Sequence, residues 1–141
     1  MALALEVAEA IISAARDKAH DLGATISVAV VDQAGYLIAF GRMDGGPWPH
    51  AEIAIAKARA SAILNRSGTQ LLESQRLNPH VSFQVQFLTK GQLFREKGSM
   101  PIHDADGNVL GAVGVSGSSS EDDEAIANAA LESPGWFLNS S

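Results

Sequence analysis

The chain of 141 residues contains no cysteine. That absence excludes a disulfide framework, a thiolate nucleophile and any Cys-ligated zinc or iron–sulfur centre. Basic residues are scarce as well: 10 Lys and Arg stand against 16 Asp and Glu, a formal charge of −6. No basic stripe is available to neutralise nucleic-acid phosphates, so nucleic acid is not an expected partner. No stretch approaches the roughly 18 consecutive apolar residues of a membrane span. The start, Met1 to Val7, lacks the basic opening and cleavage site of a secretory signal, and Glu6 and Glu9 interrupt its apolar run. These absences predict a soluble chain without membrane or nucleic-acid partners, with the cytoplasm as its expected compartment.

What is present builds a core. Hydrophobic residues make up 46% of the sequence and charged residues 18%, a mix typical of a folded domain, and the length suits one domain across residues 1–141. Apolar residues at Leu3, Val7, Ala10, Ile11, Ala14, Ala15 and Leu22 predict a helix that Gly23 ends. A run dense in β-branched residues, Thr25 to Asp32, and a second run, Tyr36 to Met43, flank Gln33-Ala34-Gly35 and read as an antiparallel hairpin. After the loop Asp44 to Pro49, an Ala-rich helix is expected from His50 to Asn65 and a short one from Thr69 to Leu77. Val81 to Leu88 alternates apolar and polar residues and reads as a half-exposed strand, with a short helix as the alternative. Gln92 to Arg95 and Met100 to His103 are short strand candidates, Asp104 to Asn108 is a turn, and Val109 to Ser116 is a strand. A serine among residues 118–120 caps a last helix whose first turn carries Glu121, Asp122, Asp123 and Glu124, placed where the helix dipole favours negative charge. The tail after Ser133 is expected to be loosely tied.

In this order, Val28 to Asp32 with Gly35 and Leu37, Arg42-Met43-Asp44-Gly45, Lys57-Ala58 with Ser61-Ala62, Pro101-Ile102, and Gly107 with Gly111 to Gly117 followed by Asp122, Asp123 and Glu124 resemble the haem-degrading GlcG/HbpS family. The resemblance spans nearly the whole chain. It departs at Lys97-Gly98-Ser99-Met100, where the family tends to carry Pro-Gly-Gly, and at Lys57 to Ala62, where a family threonine is replaced by serine. The resemblance implies an α/β domain with an antiparallel sheet of about five strands and helices packed on it, and it predicts fold better than function. Relatives include the C-terminal domain of corrinoid adenosyltransferases; some bind haem, and many form dimers or larger rings. A homo-oligomer in a catabolic or redox setting is therefore expected.

The four histidines, His20, His50, His80 and His103, form no i, i+4 pair, so no metal site is assigned. If haem is the ligand, as the resemblance implies, one imidazole suffices as axial ligand, and His20 and His50 are the candidates. A ligand pocket is expected between the start of the long helix and the loop before Pro101. Trp48, His50, Phe94 and Met100 would line it, and Arg42 at its mouth would offer a planar fork to a carboxylate or propionate. Asp44 would hold Arg42 in place or accept from a ligand. Lys57, set among alanines, should bury its stem and direct its ammonium to a carboxylate or a ligand anion. His103 beside Asp104 is the candidate acid/base pair of the rival reading, a cofactor-independent isomerase, hydratase or lyase acting on a small carboxylate. The leading expectation is a protein that binds a small anionic ligand, with haem the foremost candidate.

Overall fold

A computed structural model describes residues 2–132; the tail expected after Ser133 lies outside the described residues. The elements in chain order are α1 (Leu5–Asp21), β1 (Ser27–Asp32), β2 (Leu37–Arg42), α2 (Trp48–Leu64), α3 (Gly68–Leu77), α4 (Pro79–Leu88), β3 (Ser99–His103), β4 (Val109–Ser116) and α5 (Ser120–Glu132). The strands pair antiparallel throughout in the order β2-β1-β4-β3. This is the α/β architecture expected, with four strands among the described residues rather than about five.

Two layers of helix sandwich the sheet because its central strands are apolar on both faces. Val28, Val30, Val113 and Val115 point to α1 and α5, where they join Val7, Ile11, Ala15, Ile126 and Ala127 in the larger core. Ala29, Val31 and Ala112 face α2, which presents Ala54, Ala58 and Ala62 at i, i+4 steps. These small residues let α2 lie close on the sheet. The closest approach is at Gly114, where an added Cβ would collide with the Ala54 carbonyl oxygen and stand 2.6 Å from the Ala58 nitrogen.

The two hairpins are closed by the same device. Asp32 Oδ1 accepts from Ala34 N and Tyr36 N at 2.9 Å each, and Gly35 takes φ +87°. Asp104 Oδ1 accepts from Asp106 N and Asn108 N at 2.9 Å each, and Gly107 takes φ +84°. In each turn the aspartate replaces missing strand partners while glycine accepts the left-handed backbone that closes the loop.

The segment Val81 to Leu88 is helix α4, not a strand. Pro79 sits in its first turn, where a missing N–H costs nothing, and the alternating apolar residues also fall at i, i+4 (Val81/Val85, Phe83/Phe87). Val85 packs beside Leu71, Leu93 and Ala60, whereas no strand of the sheet pairs with this segment. Gln92 to Arg95 is not a strand either; Phe94 N donates instead to Ala56 O on α2 at 3.2 Å.

Candidate functional site

The end of the sheet where β1 begins and β2 and β4 finish also gathers the C-terminus of α1 and the N-terminus of α2. Arg16 and His20, one turn apart on α1, face the same cleft as Arg42, Met43 and Asp44 at the end of β2. Ala24, Thr25, Val28 and Gly41 contribute further lining, and Asp17 completes the rim; the cleft measures about 680 Å³. Val28 and Gly41 are register partners, so the valine forms floor while the glycine leaves room above it. Met43 is fixed by the backbone: its N donates to Ile26 O at 3.0 Å, and Ile26 N approaches its sulfur at 3.3 Å. Among the described residues no ion pair or side-chain hydrogen bond engages Arg16, His20 or Arg42. The cleft lining thus includes two arginines and a histidine whose side chains are unengaged among the described residues, beside a small apolar floor. Asp44 shares it without pairing to Arg42.

The other expected site residues lie elsewhere. Trp48 is exposed at the start of α2. His50 follows it, with Nδ1 2.9 Å from Ser116 Oγ. Arg42, Ser27 and Ser116 form one row across β2, β1 and β4, so His50 stands at the same end of the sheet as His20 but on the α2 side. Met100 packs into the core under α1 and α5, and Phe94 sits against the middle of α2. Trp48, His50, Phe94 and Met100 are therefore divided between the two faces of the sheet and do not enclose one pocket. His103 and Asp104 lie at the opposite end, in the β3–β4 hairpin. His103 Nε2 is 2.7 Å from Asn65 Oδ1, while both oxygens of Asp104 accept bonds within its own turn. Those bonds, that from the Asn108 backbone foremost, hold the Asp104 carboxyl below its usual range.

Lys57 is buried, with 3% of its surface exposed, and its ammonium has found a carboxylate. Nζ lies 3.3 Å from Asp123 Oδ2 and donates to Val115 O at 2.9 Å. Burial pulls the lysine pKa down and pushes that of Asp123 up, each resisted by the attraction of the other. Next to it, Glu124 Oε1 accepts from Gly98 N at 2.7 Å and Ser99 N at 3.1 Å, and Oε2 accepts from the Thr69 backbone N at 2.8 Å and from its hydroxyl. The helix-dipole reading of the four acids accounts for none of this. The signal was in the period: Asp123 lies on the same stripe as Ile126, Ala127 and Ala130, all of them buried.

Comparison with known proteins accords with this architecture. Residues 3–132 match the model of a family described as haem degrading protein HbpS-like. The chain belongs to the HbpS-like family. The GlcG protein of Escherichia coli K12 is 36% identical over 114 residues, covering 81% of each chain. Among solved structures, Klebsiella pneumoniae ORFY superposes with a TM-score of 0.85 at 24% identity, covering 99% of this chain and 92% of that one. A PduOC–haem complex gives 0.83 at 24% identity, covering 93% and 94%. At that identity these two structures carry the fold.

Among the described residues no helix is long and apolar enough to cross a membrane, and no three His, Asp or Glu side chains gather to hold a metal ion.

Proposed function

We propose that this member of the HbpS-like family binds a flat, dianionic tetrapyrrole of the haem type in the cleft between α1 and the end of β2. One observation carries the reading: His20, Arg16 and Arg42, whose side chains make no ion pair or hydrogen bond among the described residues, line one cleft. The donor set fits haem. His20 offers an axial nitrogen, the arginines offer countercharge to the two propionates, and Ala24, Val28 and Met43 offer an apolar surface for the ring. A volume of about 680 Å³ lies within the range of small-molecule sites. The family description and the haem in a structure of the same fold support the choice of ligand. Bound haem supplies redox-active iron; the chain's residues supply the ligand nitrogen, the countercharge and partial exclusion of water. The catabolic setting and cytoplasmic home expected from the sequence belong to the same reading.

The rival, a cofactor-independent isomerase, hydratase or lyase using His103 and Asp104, has less support. Asp104 is committed to its turn, and His103 is held by Asn65 on the far side of the protein.

Titration of the purified protein with haemin tests the proposal. A sharp Soret band is expected, with His20→Ala removing or shifting it and His50→Ala leaving it in place. A His20→Ala protein with the parent's spectrum and affinity would overturn the assignment.

A further inference from the structure

Met43 is positioned through its sulfur. Ile26 and Met43 continue the β1–β2 ladder one step beyond Ser27 and Arg42, and Met43 N donates to Ile26 O at 3.0 Å. In a regular antiparallel pair the reciprocal bond would run from Ile26 N to Met43 O. It is replaced here: Met43 O accepts from Gly46 N at 3.0 Å, and Ile26 N donates to Met43 Sδ at 3.3 Å. Ile26 is 1% exposed, so its amide relies on that sulfur rather than on water. A methionine side chain turns about three bonds and ordinarily fills whatever gap it meets. At this position a buried N–H fixes where the thioether lies. The bond from Ile26 occupies one lone pair of the sulfur and leaves the other free.

We propose that Met43 Sδ supplies the second axial ligand to the haem iron that His20 binds, so that the chain itself fills both axial positions. The proposal rests on the haem reading of the cleft and adds a ligand to it. Three observations favour this sulfur. The first is position: His20 comes from α1 and Met43 from the end of β2, the two elements between which the cleft lies. The second is elimination. The strong donors to iron along the cleft are His20, Met43 and the carboxylates of Asp17 and Asp44, and both aspartates are exposed at the rim. Met43 is partly buried and packs against the core. The chain has no cysteine to compete, Met100 lies under α1 and α5, and His50 and His103 are paired with Ser116 and Asn65. The third is preorganisation. A ligand oriented by a neighbouring hydrogen bond loses little freedom when it binds, and the amide of Ile26 does this for the sulfur. With both axial positions taken by the chain, none stays open to dioxygen or peroxide, which suits the cleft to holding haem rather than to opening its ring.

The test uses the full-length chain loaded with haemin. The ferric parent is expected to give a low-spin electron paramagnetic resonance spectrum and a weak sulfur-to-iron charge-transfer band in the red. Met43→Leu should lose that band. Because the leucine also strips Ile26 N of its acceptor, Met43→Gln is the second variant: its amide oxygen can still accept from Ile26, and it too should lose the band while keeping the parent's far-ultraviolet circular dichroism. Both variants should bind azide at the iron about tenfold or more tightly than the parent, since no sulfur has to be displaced. The parent's own spectrum decides the matter where neither variant folds. A high-spin ferric parent, a parent without the red band, or a band that survives both substitutions overturns the proposal, and a Soret band that still depends on His20 then leaves the haem reading standing. A Soret band indifferent to His20→Ala removes the haem reading itself, and this proposal with it.

Discussion

Lys57 and Asp123, 66 residues apart in sequence, meet 3.3 Å from one another beneath the first turn of α5, with 3–4% of either side chain exposed. The pair joins α2 to α5 across the end of the sheet, and Glu124 extends the junction to α3 and β3 through backbone amides. Four elements, α2, α3, α5 and β3, are thus fastened at one point, beside the strand ends that carry the cleft. A buried pair of this kind contributes less to stability than to register, since desolvation offsets much of its attraction.

Removing one partner is far more costly than removing both. Lys57→Met leaves the Asp123 carboxylate buried and uncompensated, and should lower the free energy of unfolding by about 3–5 kcal/mol. The double variant Lys57→Met/Asp123→Leu, which takes both charges out, should recover most of that loss. Urea denaturation of the parent, Lys57→Met, Asp123→Leu and the double variant measures the coupling; a double variant as unstable as the sum of the singles would show that the pair does not act as a unit.

The same junction fixes a pH dependence. Burial raises the Asp123 carboxyl above its ordinary value, and Lys57 restrains the rise. Without Lys57 the rise is larger. Between the unfolded pKa and the raised folded one, the native state then holds a proton that the unfolded state has lost, so stability falls as pH increases. Lys57→Met should therefore lose stability relative to the parent as pH rises through and above the ordinary carboxylate range. Parallel curves would place the Asp123 charge in a better-solvated setting than its burial implies.

Much of the scaffold was legible because it rests on local rules. The Asp-to-Gly turns announced both hairpins, and the serine before the acidic run caps α5 through Ser119 Oγ on Asp122 N. The alanine steps of α2 announced a closely packed helix. Segment 81–88 misled because its apolar residues satisfy the strand period and the helix period together, and its exposure removes the usual arbiter, an inward apolar stripe. Of the residues singled out in the sequence, Arg42, Asp44 and His20 line one cleft, and Arg16, which was not among them, lines it too. Nothing in the sequence says that the α1 C-terminus and the β2 end lie side by side, for that depends on α1 packing across the sheet. The expected pocket failed for a similar reason. Trp48 and Met100 both lie near loops, but strand register sends Met100 to the opposite face.

If Arg42 meets a propionate, Arg42→Ala should weaken haemin binding by about 1.5–3 kcal/mol, the range for a charged hydrogen bond. Its unfolding midpoint should stay within about 0.5 kcal/mol of the parent's, since the side chain is exposed and makes no ion pair. His103→Ala, at the far end of the sheet, should alter neither haemin affinity nor the Soret maximum. Equal losses from Arg42→Ala and His103→Ala would indicate a global effect and count against the cleft.

A last expectation concerns the contact that sets the position of α2. Gly114 lies on β4 beneath Ala54 and Ala58, and a methyl group there would meet helix backbone rather than a movable side chain. The Ala58 nitrogen would stand 2.6 Å away, so α2 must lift from the sheet, opening the interface that Ala29, Ala58 and Ala112 close. Gly114→Ala should therefore destabilise the fold by about 3 kcal/mol, the upper part of the usual range for overpacking. Gly107→Ala makes the matching control. Its Cβ would enter open space and only the left-handed backbone, φ +84°, resists it, at a cost of about 1–2 kcal/mol. The ordering Gly114→Ala worse than Gly107→Ala, read from urea midpoints, is the diagnostic result. A reversed order would mean that α2 rides more loosely on β4 than this contact requires, and that backbone strain outweighs packing at these two positions.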